Sequence, residues 1–150
     1  MQYCETWTCL YYTSYEAAAA KGPRDVIIYN ADFDYRDCLG DGSRPEEVGD
    51  PEEWLAKFEE YFGATPMFVT IGNHDDMLWF EHDSCGKGKA WETVFAERYH
   101  RLGLDKHCSG TIGINNACFF KGLYMVESGI GEVTGRDDPH SVNFIRDAFA

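Results

Sequence analysis

The chain has 150 residues, of which 44% are hydrophobic and 15% aromatic, a composition that supports a folded core and excludes a disordered chain. Its 26 acidic and 13 basic residues give a net charge of −13, which repels phosphate backbones and disfavours a nucleic-acid-binding protein. No apolar run is long enough for a transmembrane helix, so we expect no membrane partner. The first residues lack a signal-peptide pattern. The length predicts one domain over residues 1–150.

Six cysteines are spread along the chain, and none belongs to a C-x-x-C pair, which disfavours a structural zinc site. They are too few for a disulfide scaffold but more than a reducing compartment calls for, which favours a secreted or extracytoplasmic protein. Cys108 and Cys118 flank a candidate strand pair. A disulfide between them fits a secreted protein and would not form in a reduced one.

The first half of the chain alternates helical and extended patterns. Four successive alanines before a Gly-Pro pair predict a helix over residues 10–21. Two short apolar runs, Asp25–Ala31 and Pro66–Ile71, predict buried strands. Between them, an Asp-Pro start and an apolar stripe predict a helix over Asp50–Gly63. This order predicts an α/β fold, a layered parallel sheet with flanking helices.

The second half predicts four further elements. Apolar residues at helical spacing indicate a helix over Trp91–Leu102. Thr111–Phe120 and Gly122–Ser128 predict two strands of a hairpin or meander. A last helix is expected from Pro139 to Ala150, without a stop signal. The sequence contains no internal repeat and no linker, which agrees with one domain.

Polar side chains follow both predicted parallel strands. Asp32 and Tyr35 come after the first strand, and Asn73, His74 and Asp75 come after the second. If the strands are parallel neighbours, their carboxyl ends lie about 5 Å apart, where ligands gather in such sheets. Carboxylate and amide oxygens with imidazole suit iron, zinc or manganese. Two such ions can activate water and stabilise both ends of a phosphoryl transfer.

These two segments resemble motifs of a known family. Gly72-Asn73-His74-Asp75 matches the GNH[DE] motif of the calcineurin-like metallophosphoesterases, and Ala31-Asp32-Phe33-Asp34-Tyr35 resembles the upstream GDxxY form of the purple acid phosphatases. The resemblance implies a layered metallophosphoesterase-like sheet. It also implies hydrolysis of a small phosphate-ester substrate by a dinuclear centre of iron, zinc or manganese.

The resemblance also implies a role for each polar residue. Asp32 would be the metal-bridging carboxylate, Tyr35 a phenolate ligand of ferric iron, and Asn73 a ligand of the second metal. His74 would lie beside the substrate phosphate, where it stabilises charge or protonates the leaving oxygen. Asp75 would orient His74.

The sequence departs from the family pattern in three places. Ala31 replaces the motif's glycine, residues 1–15 contain no aspartate for the family's first DxH or DxG motif, and no GHxH motif follows. We therefore expect the middle part of a family member, incomplete at both ends and with little or no activity. The alternatives are a non-catalytic degenerate remnant or an extracellular binding module. Tyr35 is then a packed aromatic residue, and Asp32 is a loop acid that caps a turn.

Overall fold

The computed structural model of the chain combines helices with one parallel and one antiparallel sheet, and it confirms a mixed α/β fold. The residues that the structure describes are 14–30, 33, 51–72, 87–128 and 139–150. The strands are β1 (Ile27–Asn30), β2 (Met67–Thr70), β3 (Cys108–Thr111), β4 (Asn115–Phe120) and β5 (Leu123–Ser128). The helices are α1 (residues 14–19), α2 (Pro51–Phe62), α3 (Lys87–Leu102) and α4 (Pro139–Ala148). No helix within these ranges has the length and apolar character needed to cross a membrane.

The predicted strand–helix–strand order of the first half is confirmed. β1 and β2 pair in parallel, with Ile27 opposite Met67, and α2 lies between them in the sequence. Pro51 occupies the first position of α2, where its fixed φ favours the helix and its missing N–H is not needed. Gly63 follows the helix with a φ of 55°, a left-handed conformation that ends it.

The prediction of one long strand over Thr111–Phe120 is wrong. The segment divides into the end of β3 and the whole of β4, which pair antiparallel. Gly113 lies in the turn between them with a φ of 84°, a conformation that strands do not use and that glycine adopts without strain. The structure contains a disulfide between Cys108 and Cys118, which joins directly opposite positions of β3 and β4.

The hairpin between β4 and β5 is confirmed. Phe120 pairs with Leu123, so the turn consists of Lys121 and Gly122 alone. Both have positive φ, 48° and 84°, as the two central residues of a type I′ turn require. Three helices differ from prediction at a boundary: α1 ends at residue 19, α3 begins at Lys87 and α4 ends at Ala148.

The core is one aromatic-rich cluster shared by α1, α2, α3 and both sheets. Its fully buried members include Phe58, Phe68, Trp91, Phe95 and Tyr99. Each such side chain contributes about 1.5–3 kcal/mol through its removal from water. The parallel strands are short, so most of their stability comes from this packing.

A buried arginine connects α3 to the segment between α2 and β2. Arg98 is 1% exposed, and its Nε donates to Glu59 at 3.1 Å. Its Nη2 donates to the carbonyl oxygens of Gly63 and Thr65 at 3.2 and 3.0 Å. Burial lowers the pKa of Arg98, and the Glu59 carboxylate opposes that shift. Arg98 therefore supplies hydrogen-bond donors to the backbone carbonyl groups between α2 and β2, and it fixes the start of β2.

We predict that Arg98→Met lowers the free energy of unfolding by about 3 kcal/mol, because two carbonyl oxygens lose their donor while Glu59 keeps Arg101 as a partner. Urea denaturation measures the change. Lys89→Met is the matched control, since it removes an exposed helical ion pair with Glu92 that is worth under about 1 kcal/mol. Equal effects of the two substitutions would contradict the role given to Arg98.

Candidate functional site

The two strands that precede the candidate motifs end side by side. β1 and β2 are parallel neighbours, and Asn30 at the end of one lies opposite Thr70 at the end of the other. Neighbouring strands are about 5 Å apart, so the two following segments begin at the same edge of the sheet. The condition set for a shared site, parallel neighbouring strands, is therefore met. The candidate site residues themselves lie outside the described residues: Asp32, Tyr35, Asn73, His74 and Asp75.

Phe33, within the first motif, is anchored in the core. It is 4% exposed, and its ring stacks on Tyr29 and Trp91 with centroid distances of 4.8 and 5.0 Å. Its edge-on contact with Trp54 is 4.8 Å. No local motif marks Phe33 as a core residue, although it follows the half-buried Ile27 and Tyr29 at an even spacing that predicts the same face. Phe33 is therefore fixed in the core, three positions after the last residue of β1.

The end of β2 is held by the turn between β3 and β4. Thr70 forms a parallel bridge with Gly113, and the N–H of Ile71 donates to the Gly113 carbonyl oxygen at 2.7 Å. Ile71 is 1% exposed. The antiparallel sheet thus reaches the parallel pair at the residue that precedes Gly72, the start of the second motif.

Asn116 and Glu127 form a buried polar pair behind this turn. Asn116 Oδ1 accepts a hydrogen bond from the N–H of Gly113 at 3.1 Å, and Asn116 Nδ2 donates to Glu127 Oε2 at 2.7 Å. Within the described part of the chain, Glu127 Oε1 is buried without a hydrogen-bond partner. Neither residue belongs to a local motif, so the sequence alone does not indicate this pair.

Burial raises the pKa of Glu127 to about 7, although the hydrogen bond from Asn116 and the nearby N–H of Val69 oppose the shift. That N–H donates to the Tyr99 hydroxyl oxygen at 3.1 Å. Burial also raises the pKa of Tyr99, and the negative charge of Glu127 adds to the effect. Glu127 is thus a carboxyl group that changes charge near neutral pH, while Tyr99 stays neutral.

The described ranges contain no cluster of three or more His, Cys, Asp or Glu side chains that could hold a metal ion. Comparisons with protein-family models, with curated proteins and with solved structures found no match for this chain. The observations that bear on function are therefore the two motifs and the arrangement of the strands that precede them.

We predict a pH-dependent stability that Glu127→Gln removes. Because the folded pKa of Glu127 lies above its ordinary value of 4.5, the folded wild type binds this proton more tightly than the unfolded chain, and the contribution of Glu127 to stability is greatest below pH 4.5. The wild type loses on the order of 3 kcal/mol relative to the glutamine variant as the pH rises from 4.5 to 7. Denaturant unfolding at several pH values measures the difference, and a constant offset between the two proteins would show that Glu127 titrates normally.

Proposed function

We propose that the chain is a metallophosphoesterase-like domain with a layered sheet, whose site lies at the common edge of β1 and β2. Its substrate class is a small phosphate ester. The observation that carries the proposal is the level, parallel pairing of the two strands. Because of this pairing, the two strands that precede Asp32 and Asn73 end at the same edge of the sheet. Asp32 and Asn73 are 41 positions apart in the sequence.

The metal ions of this proposal are two ions of iron, zinc or manganese. Asp32, Tyr35 and Asn73 would hold them through oxygen donors. The carboxylate and amide oxygens suit manganese, and the phenolate oxygen of Tyr35 would be the ligand of a ferric ion. When bound, the ions supply Lewis acidity and lower the pKa of a bound water. The position of the site is supported by two buried residues at the motifs, Phe33 in the core and Ile71 against the antiparallel sheet.

The chain's own residues would bind and orient the substrate. His74 donates a hydrogen bond to a phosphate oxygen or holds the proton that the leaving oxygen takes. Asp75 keeps the imidazole of His74 in one tautomer and orientation. The net charge of −13 opposes the approach of a phosphate, so bound cations would be needed to reverse the field at this edge.

The chain as it stands would have weak or no phosphatase activity, since three ligand positions are few for a dinuclear centre. The Cys108–Cys118 disulfide supports a secreted or extracytoplasmic location, because disulfides persist in oxidising compartments.

The experiment that tests the site is a titration with Mn²⁺ and Zn²⁺ by calorimetry. We expect Asp32→Asn and Asn73→Ala to lower the affinity about tenfold or more, because each removes a direct ligand. Asp25→Asn is the matched control: it makes the same chemical change before the other end of β1, where Asp25 is exposed and pairs only with Lys121 among the described residues. Equal affinities for Asp32→Asn and Asp25→Asn would overturn the proposal.

Hydrolysis of an aryl phosphate, measured with each metal added, separates enzyme from remnant. We expect turnover far below the enzyme median of about 10 per second, with Asp32→Asn and His74→Ala abolishing what is present. Metal binding without any turnover would favour the alternative of a non-catalytic remnant.

We predict that Tyr35 gives the iron-loaded protein a visible colour. A phenolate bound to ferric iron has a charge-transfer absorption band, whereas a packed tyrosine has none. Tyr35→Phe should abolish the band, and Tyr124→Phe, which removes an exposed hydroxyl at the far side of the hairpin, should keep it. A wild type that binds iron and remains colourless would exclude Tyr35 as a ligand and favour zinc, manganese or ferrous iron.

A further inference from the structure

A series of hydrogen bonds connects a buried carboxyl group on β5 to the end of β2. Glu127 Oε2 accepts from Asn116 Nδ2, and Asn116 Oδ1 accepts from the N–H of Gly113. The carbonyl oxygen of the same glycine accepts from the N–H of Ile71 at 2.7 Å. Asn116 is 0% exposed and Glu127 7%, so water does not compete for these bonds. The series ends one residue before Gly72.

We propose that Glu127 and Asn116 are positioning residues for Ile71, which follows β2 and precedes the second motif. They fix the peptide of Gly113, and Gly113 fixes the backbone at Ile71. We call the hydrogen bonds from Glu127 through Asn116 and Gly113 to Ile71 the link. The inference rests on the proposed function, because the link positions a metal ligand only if Asn73 binds metal at this edge of the sheet.

The charge on Glu127 determines how firmly the link holds. Asn116 must turn its oxygen toward Gly113 and its nitrogen toward Glu127. An ionised carboxylate only accepts hydrogen bonds, so it selects this orientation of the amide. A protonated carboxyl group can also donate, and the reversed amide would then turn a donor toward the N–H of Gly113. Ionised Glu127 therefore holds Gly113 more firmly than neutral Glu127.

Among the described groups that face Glu127, none changes its charge near neutral pH, so Glu127 is the titrating group of the link. From α3, Tyr99 faces it with a hydroxyl that stays neutral, since burial raises its pKa. From β4, Cys118 is held in a disulfide and does not titrate. β2 contributes the N–H of Val69 and has no titratable side chain. Arg98, beside Tyr99, bonds to Glu59 instead. The pKa of Glu127, about 7, places the change in the neutral range.

Asn115 provides a matched control on the same strand. Its Nδ2 donates to Ser141 Oγ at 2.8 Å, and its Oδ1 accepts from Ser128 Oγ at 2.6 Å. Its side chain makes no hydrogen bond to Gly113 among the described residues. Asn115→Ala therefore removes as much polar structure as Asn116→Ala while it leaves the link intact.

The test measures Mn²⁺ affinity of the whole chain by calorimetry between pH 6 and 8. At pH 8 we expect Asn116→Ala to lower the affinity about tenfold and Glu127→Gln about threefold, with Asn115→Ala within twofold of the wild type. The affinity of the wild type should rise more steeply with pH than that of Glu127→Gln. Both proteins contain the same candidate site residues, so the comparison isolates the charge on Glu127. A merely structural glutamate would leave the two pH profiles parallel.

A second measurement reports the link without metal. Amide hydrogen exchange of Gly113, corrected for its intrinsic rate, should be about tenfold faster in Asn116→Ala and unchanged in Asn115→Ala. Protection of this amide in the wild type should increase above pH 7 and stay constant in Glu127→Gln. The glutamine variant keeps the inference testable if Asn116→Ala does not fold.

The outcomes separate this inference from the proposed function. If the wild type binds no Mn²⁺, or if Asn73→Ala binds it as tightly as the wild type, the metal site is wrong and the positioning role falls with it. If Asn73→Ala lowers the affinity while Glu127→Gln and Asn116→Ala match Asn115→Ala, the positioning role alone is wrong.

Discussion

The parallel pairing of β1 with β2 is the constraint on which the rest of the structure depends. A parallel pair needs a crossover between its strands and cover for its faces, and α2, the aromatic core and Arg98 meet these needs. The register places both strand ends level. A slip of β1 by one residue would turn its half-buried side chains, Ile27 and Tyr29, to the opposite face. The packing that stabilises the fold therefore also determines where the two motifs begin.

The antiparallel sheet has a different task, since it supports the end of β2 through buried polar groups. An apolar pair in place of Asn116 and Glu127 would avoid the cost of placing a carboxyl group in the core. The polar pair instead directs hydrogen bonds at one peptide, that of Gly113. The pair therefore lowers stability near neutral pH but holds the backbone of Gly113 in one place. Proteins often have such a loss of stability near functional sites.

Elements with local signals could be predicted from the sequence. α2 depends on Pro51 and Gly63, and the β4–β5 hairpin on Lys121 and Gly122. The division of Thr111–Phe120 could not be predicted, since its turn is fixed by bonds from Gly113 to β2, more than 40 positions away. The motifs indicate which residues form the candidate site, but the side chains that support it, Phe33, Asn116 and Glu127, depend on contacts between distant segments.

The aromatic packing around Phe33 has an optical consequence. Two of the four tryptophans, Trp54 and Trp91, contact the Phe33 ring with centroid distances of 4.8 and 5.0 Å, and both are buried. Their fluorescence therefore originates beside the segment that follows β1. A paramagnetic ion bound at that edge of the sheet would quench this emission, and a diamagnetic ion would not. The protein thus contains its own label for the occupancy of the candidate site, and no dye or tag has to be attached.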